Sequence, residues 1–89
     1  MKSCHYYISG RVQGVYYRAN VAKNAQKAGF SGYVKNLDDG RVEAVVSCEE
    51  ERLVSFKKIL KDGSPKSDVT SIDEQLIDER FSGVFEIYY

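Results

Sequence analysis

The sequence contains no tryptophan, a single histidine and only two cysteines. The cysteines stand at positions 4 and 48, a spacing that fits neither a CxxC redox motif nor a pair of zinc ligands. We therefore expect no metal site and no cofactor. Two cysteines are also too few for the disulfide framework of a small secreted protein. A bridge between Cys4 and Cys48 is compatible with the pattern, but a reducing cytosol favours two free thiols.

The sequence also lacks an excess of charge and a long apolar run. Thirteen Lys and Arg residues balance thirteen Asp and Glu residues, so the chain as a whole is not drawn to nucleic acid or to anionic membranes. No apolar stretch approaches the length of a membrane span, and residues 1–5 lack the apolar character of a signal peptide. We expect a cytoplasmic monomer that binds neither nucleic acid nor membranes.

The apolar content suffices for one folded unit. Hydrophobic residues make up 43% of the 89 residues, and a single core needs most of that length. We therefore expect one domain spanning residues 1–89.

Hydrophobic periodicity divides the chain into five strands and two helices. Asp38-Asp39-Gly40 predicts a hairpin turn, Gly29 predicts the end of the first helix, and Asp62-Gly63-Ser64-Pro65 predicts the end of the second. The predicted order is strand 4–12, helix 18–28, strand 32–37, strand 41–48, helix 49–61, strand 69–77 and strand 84–89. This order is typical of an α+β fold, the ferredoxin-like split βαβ sandwich, with an antiparallel sheet of four to five strands and two helices on one face.

Two distant segments meet in that topology. The first two strands run in the same direction, and the third lies between them in the opposite direction. The loop at residues 13–18 follows the first strand, and Asn36 ends the second. We therefore expect the loop and Asn36 to lie at the same edge of the sheet.

The loop has the composition of an anion site. Backbone N–H groups before a helix lack intrahelical partners, and the helix dipole adds positive potential there. Gly14 permits unusual backbone angles, and the fork of Arg18 suits two phosphate oxygens. Taken alone, these residues favour an ordinary turn with an exposed arginine. Asn36 fits a turn cap as well as it fits a functional site.

Three segments of the sequence resemble the acylphosphatase family. They are GRVQGVYYR at residues 10–18, GYVKNLDDGRVE at residues 32–43 and GSPKS at residues 63–67. The resemblance extends over nearly the whole chain, in order and at the spacing of the family. It implies a hydrolase that splits the carboxyl–phosphate anhydride of a small-molecule acyl phosphate without a metal.

The resemblance also implies roles for individual residues. Arg18 corresponds to the phosphate-binding arginine of the family, and Asn36 to the asparagine that positions water. The backbone cradle for the phosphoryl group corresponds to Gln13, Gly14, Val15, Tyr16, Tyr17 and Arg18. One departure concerns Tyr16-Tyr17, where members of the family often carry Gly-Phe or Phe-Phe. The bulky ring of Tyr16 is expected to alter access to the cradle.

The main alternative is a non-catalytic ferredoxin-like module that binds phosphate or another anion for regulation. An RNA-binding domain of this fold would show RNP-type aromatic motifs on a basic sheet, and a soft-metal carrier would show CxxC in the first loop. Neither motif is present. Asn36 separates the two remaining hypotheses, because a phosphate sensor does not need to orient water.

Overall fold

The computed structural model describes residues 1–89 and contains five strands, two α-helices and one short 3-10 helix. In chain order these are β1 (Lys2–Arg11), α1 (Tyr17–Lys27), β2 (Ser31–Asn36), β3 (Val42–Cys48), the 3-10 helix (Glu50–Arg52), α2 (Leu53–Asp62), β4 (Asp68–Ile77) and β5 (Glu86–Tyr88). The predicted α+β ferredoxin-like sandwich is confirmed. The acidic residues that were predicted to open the second helix form a separate 3-10 turn before it.

The five strands form one sheet in the order β4-β1-β3-β2-β5. Strand β3 lies antiparallel between β1 and β2, so the predicted meeting of the two strand ends at one edge is confirmed. The prediction of a wholly antiparallel sheet is wrong, because β5 pairs parallel to β2. Strand β4 lies at one edge of the sheet and β5 at the other, and residues 78–85 connect the two. The chain therefore enters β5 in the direction of β2.

One hydrophobic core fills the space between the sheet and both helices. Alternate residues of β1, β2 and β3 point into it, as their pattern predicts. Eighteen buried residues form this cluster, including Tyr6, Ile8, Val34, Val42, Ala44, Val46, Phe56 and Leu60. Small residues on α1 allow the helix to approach the sheet closely. They are Val21, Ala22 and Ala25, whereas Ala28 is exposed at the helix end.

The apolar residues of α2 are buried to different extents. Phe56 and Leu60 are fully buried, and Leu53 and Ile59 pack against the core while partly exposed. Gly10 lies exposed at a bulge between β1 and β4. A Cβ atom at Gly10 would lie 2.1 Å from the carbonyl oxygen of Asp68, so this position requires glycine.

The remaining singled-out side chains lie away from the loop at residues 13–18. Cys4 and Cys48 are buried free thiols, and burial raises the pKa of both. His5 lies on the sheet face opposite the helices, where its Nε2 is 2.9 Å from a carboxylate oxygen of Glu43. No helix is both long and apolar enough to cross a membrane.

Candidate active site

A cavity of about 220 Å³ opens at the sheet edge where β1 and β2 end. Its wall combines one cationic side chain, one amide and a set of apolar groups. The lining residues are Val12, Gly14, Tyr16, Tyr17, Arg18, Ala19, Asn36, Ile87 and Tyr89. The structure therefore brings Arg18 and Asn36, which lie on different elements, to the same cavity.

The loop between β1 and α1 presents unpaired backbone donors. None of the N–H groups of residues 13–16 donates a backbone hydrogen bond, and Tyr17 and Arg18 begin α1, where N–H groups lack intrahelical acceptors. Gly14 (φ 72°) and Tyr16 (φ 63°) adopt left-handed conformations, which are typical of backbone anion nests. Such a nest of donors at a helix N-terminus suits an anion.

Hydrogen bonds to two other parts of the chain hold this loop in place. The amide nitrogen of Gln13 donates to the carbonyl oxygens of Leu37 (2.7 Å) and Arg41 (2.9 Å). The buried hydroxyl of Ser64 donates to the carbonyl oxygen of Val15 (2.6 Å). Of the six residues predicted to form the cradle, Gly14, Tyr16, Tyr17 and Arg18 line the cavity, and Gln13 and Val15 do not.

Tyr17 anchors the first turn of α1 to the end of α2. Its ring is buried, and its hydroxyl donates to the carbonyl oxygen of Leu60 at 2.7 Å. Burial raises the pKa of this phenol, so the hydroxyl remains a donor at neutral pH. Ser64 in turn links the third family-like segment, residues 63–67, to the loop.

Replacing Gln13 by alanine tests the link between the loop and the hairpin. The loss of two hydrogen bonds is expected to lower the free energy of unfolding by about 1–3 kcal/mol. It is also expected to reduce kcat/KM about tenfold or more, since the loop and Asn36 lose their fixed spacing. Gln26→Ala is the matched control, because the Gln26 amide makes one comparable bond, to the carbonyl of Phe85 (2.7 Å). Equal losses of activity in both variants would contradict a specific role for Gln13.

Arg18 projects from the first turn of α1 towards the end of β5. Its Nη1 donates to the carbonyl oxygen of Tyr88 at 2.9 Å, and its guanidinium carbon lies 4.9 Å from the centroid of the Tyr89 ring. Arg18 takes part in no salt bridge. An arginine has five N–H donors, so most of its donors and its charge remain available to an anion in the cavity.

Replacing Tyr89 by alanine tests whether the ring steadies the guanidinium. A cation–π contact at an exposed site contributes about 0.5–1 kcal/mol, so phosphate should bind about two- to fivefold more weakly. The measurement is the inhibition constant of inorganic phosphate in a hydrolysis assay. Tyr89→Phe keeps a ring and should match the unsubstituted protein. Unchanged inhibition in the alanine variant would show that the ring does not position Arg18.

Asn36 is the last residue of β2, opposite Val42 of β3. Its Oδ1 is buried and has no hydrogen-bond partner within the chain. Buried oxygen acceptors without a partner are uncommon and costly. Asn36 lines the cavity, so an amide oxygen that lacks a partner within the chain is suited to accept a hydrogen bond from water or substrate there.

The two carboxylates after Asn36 belong to a turn. The carbonyl of Leu37 accepts from the Gly40 N–H, and the Leu37 N–H donates to the carbonyl of Arg41. The Asp39 carboxylate accepts from the backbone N–H and the Nε of Arg41 (3.0 and 2.8 Å). These bonds, led by the backbone one, hold the pKa of Asp39 below its usual value. Asp39 thus stabilises the hairpin.

Sequence reasoning missed the contribution of β5. Ile87 and Tyr89 line the cavity, and the carbonyl of Tyr88 holds Arg18. These residues arrive there because β5 runs parallel to β2, so its final residues reach the same edge as Asn36. The alternation of Phe85, Ile87 and Tyr89 was a signal for the strand, but nothing in it indicated the direction of the strand.

The sequence and the structure both match known acylphosphatases along almost the whole chain. A sequence model of the acylphosphatase family matches residues 4–87. An acylphosphatase of Natronomonas pharaonis is 48% identical over 83 residues, covering 93% of this chain and 90% of the relative. An acylphosphatase of Haloarcula marismortui is 41% identical, covering 93% of this chain and 91% of the relative. The crystal structure of acylphosphatase from Bacillus subtilis is similar at a TM-score of 0.92 and 40% identity, with 100% of both chains covered.

Proposed function

The chain belongs to the acylphosphatase family and is a hydrolase of acyl phosphates, and on this basis we propose that Arg18 binds the phosphoryl group and Asn36 positions the attacking water. The observation that carries the proposal is the unpartnered Oδ1 of Asn36 beside the cavity that Arg18 also lines. Arg18 supplies the group that binds the anion, and Asn36 supplies the group that binds the water.

Phosphate binding rests on charge and on backbone donors. The phosphoryl group of an acyl phosphate carries negative charge on its outer oxygens. Arg18 has no carboxylate partner to neutralise it, and the N–H groups of residues 13–16 make no backbone hydrogen bonds. The guanidinium of Arg18 and the N–H groups of the loop can together donate hydrogen bonds to the three outer phosphoryl oxygens. These bonds strengthen as negative charge develops on the oxygens in the transition state.

Water activation rests on Asn36. Its Oδ1 accepts a hydrogen bond from water and thereby aims a lone pair of the water oxygen at phosphorus. The water oxygen forms a new bond to phosphorus while the bond between phosphorus and the acyl oxygen breaks. The electron pair of that bond leaves with the carboxylate, and the proton of the water passes to a phosphate oxygen or to solvent. The products are a carboxylate and inorganic phosphate.

The proposed reaction needs no strong acid and no metal. A carboxylate is already a stable leaving group at neutral pH, because the parent acid has a pKa near 4. Positioning and electrostatic stabilisation therefore account for most of the catalysis. The structure shows no cluster of three or more His, Cys, Asp or Glu side chains arranged as metal ligands.

We propose further that one chain acts alone, as a single domain in the cytoplasm. One chain supplies both Arg18 and Asn36 to the cavity, and these are the two side chains that the proposed reaction uses. Size-exclusion chromatography with light scattering at assay concentration would give the mass of one chain if this is correct, and twice that mass if it is not.

The position of bond cleavage tests the proposed reaction. Hydrolysis of benzoyl phosphate in ¹⁸O-labelled water places the label in inorganic phosphate if water attacks phosphorus. Attack at the carbonyl carbon would place the label in benzoate and would contradict the roles of Arg18 and Asn36. Binding of phosphate without hydrolysis would instead identify the chain as an anion-binding regulatory module.

A further inference from the structure

Tyr16 has an unusual backbone conformation. It is the only non-glycine residue with a positive φ, at φ 63° and ψ 23°. A bulky residue rarely adopts this left-handed conformation because its Cβ crowds the following carbonyl, whereas glycine adopts it freely. The side chain is 79% exposed, so the ring does not stabilise the core in compensation. Such outliers cluster at functional sites.

The conformation of Tyr16 is fixed by its neighbour in α1. The backbone N–H and the side-chain Nδ2 of Asn20 both donate to the carbonyl oxygen of Tyr16, at 3.1 and 3.0 Å. These two bonds hold the carbonyl of Tyr16 at the start of α1. Tyr16 lines the cavity together with Arg18 and Asn36, and its side chain is largely exposed, so its ring lies at the rim of the cavity.

The size of the cavity places the acyl group at this rim. At about 220 Å³, the cavity is smaller than the roughly 300–1,000 Å³ of pockets that enclose a whole ligand. With the phosphoryl group held by Arg18 and the loop, the acyl group extends outwards. Apolar and aromatic residues predominate in the cavity lining, and two of them, Tyr16 and Tyr89, are strongly exposed.

We propose that Tyr16 is a specificity-determining residue that stacks on the acyl group, so that aryl carboxyl phosphates are better substrates than acetyl phosphate. This inference rests on the proposed function. Planar aromatic groups gain from offset or edge-to-face contact with a ring, and a methyl group does not. Tyr16 is the favoured partner because the ring of Tyr89 already carries the guanidinium of Arg18.

The test compares kcat/KM for benzoyl phosphate and acetyl phosphate across Tyr16 variants. The measured quantity is kcat/KM for benzoyl phosphate divided by kcat/KM for acetyl phosphate. Both substrates share the phosphate cradle, so an effect of a substitution on the cradle cancels in this ratio. In Tyr16→Asn, which tolerates a positive φ, we expect this ratio to fall about three- to tenfold through a higher KM for benzoyl phosphate. Tyr16→Phe keeps the ring and should keep the ratio within twofold.

A second ring-less variant guards against misfolding. Tyr16→Gly relieves the backbone strain, so it is expected to fold and to lower the ratio as Tyr16→Asn does. An unchanged ratio in either folded ring-less variant overturns the role of Tyr16 and leaves the proposed function standing. Failure of the unsubstituted protein to hydrolyse either substrate overturns the proposed function, and the role of Tyr16 with it.

Discussion

Replacing Arg18 by alanine is expected to abolish phosphate binding and turnover together. Arg18 is the only charged side chain in the cavity wall and has no ion-pair partner. Removing a group of this kind from a phosphoryl-transfer site lowers the rate by about 10³-fold or more. The measurement is kcat/KM for benzoyl phosphate, together with the dissociation constant of inorganic phosphate from calorimetry.

Two further variants separate the contributions of charge, geometry and general surface potential. Arg18→Lys retains the charge but loses the planar fork, so about 10- to 100-fold of kcat/KM should be lost. Arg11→Ala removes an exposed arginine that does not line the cavity, and its activity should stay near that of the unsubstituted protein. If Arg18→Ala binds phosphate as tightly as the unsubstituted protein, Arg18 is not the phosphate ligand.

Replacing Asn36 by alanine is expected to remove turnover while phosphate binding persists. The buried Oδ1 has no partner in the chain, so its loss does not break a structural hydrogen bond. Loss of a group that orients the reacting atoms lowers kcat by about 10²–10³-fold. The dissociation constant of phosphate should stay within about twofold of its original value, because Arg18 and the loop remain.

Asn36→Asp provides a matched comparison. It retains an oxygen acceptor for water but places a negative charge beside the phosphoryl group, so phosphate should bind more weakly than in Asn36→Ala. Equal phosphate affinity in the aspartate and alanine variants would indicate that Asn36 lies farther from the anion than proposed. A large loss of phosphate binding in Asn36→Ala would assign Asn36 to binding instead of water positioning.

The order of elements and the buried faces could be predicted because the sequence pattern is strong where the core is deepest. Tyr6 and Ile8 alternate on β1, and Phe56 and Leu60 mark the buried face of α2. The convergence of the loop and Asn36 followed from topology, since β3 returns between β1 and β2. The roles of Arg18 and Asn36 came from the family resemblance and stay predictions until the variants are measured.

The contribution of β5 could not be predicted, for two physical reasons. Strand β5 has only three residues, and its direction is set by the path of residues 78–85, which carry no periodic pattern. The group that holds Arg18 is the backbone carbonyl of Tyr88, and a backbone carbonyl has no signature in the sequence. The position of Tyr89 over the guanidinium follows from the same parallel pairing.

The hydrogen bonds that hold the loop at residues 13–18 could not be predicted from the sequence, for another reason. Gln13 was predicted to contribute its backbone to the phosphate cradle, and the pattern gave no sign that its side chain bonds to the hairpin that follows Asn36. Ser64 bonds to the loop across 49 positions of the chain. Contacts over such separations depend on tertiary packing, which local patterns do not encode.

The most direct test of the account is hydrolysis of benzoyl phosphate in excess chelator by the unsubstituted protein and by Asn36→Ala side by side, with phosphate affinity measured for both. We expect metal-independent turnover that is lost in the variant while phosphate affinity is retained. Turnover that persists in Asn36→Ala, or that requires an added metal ion, would contradict it.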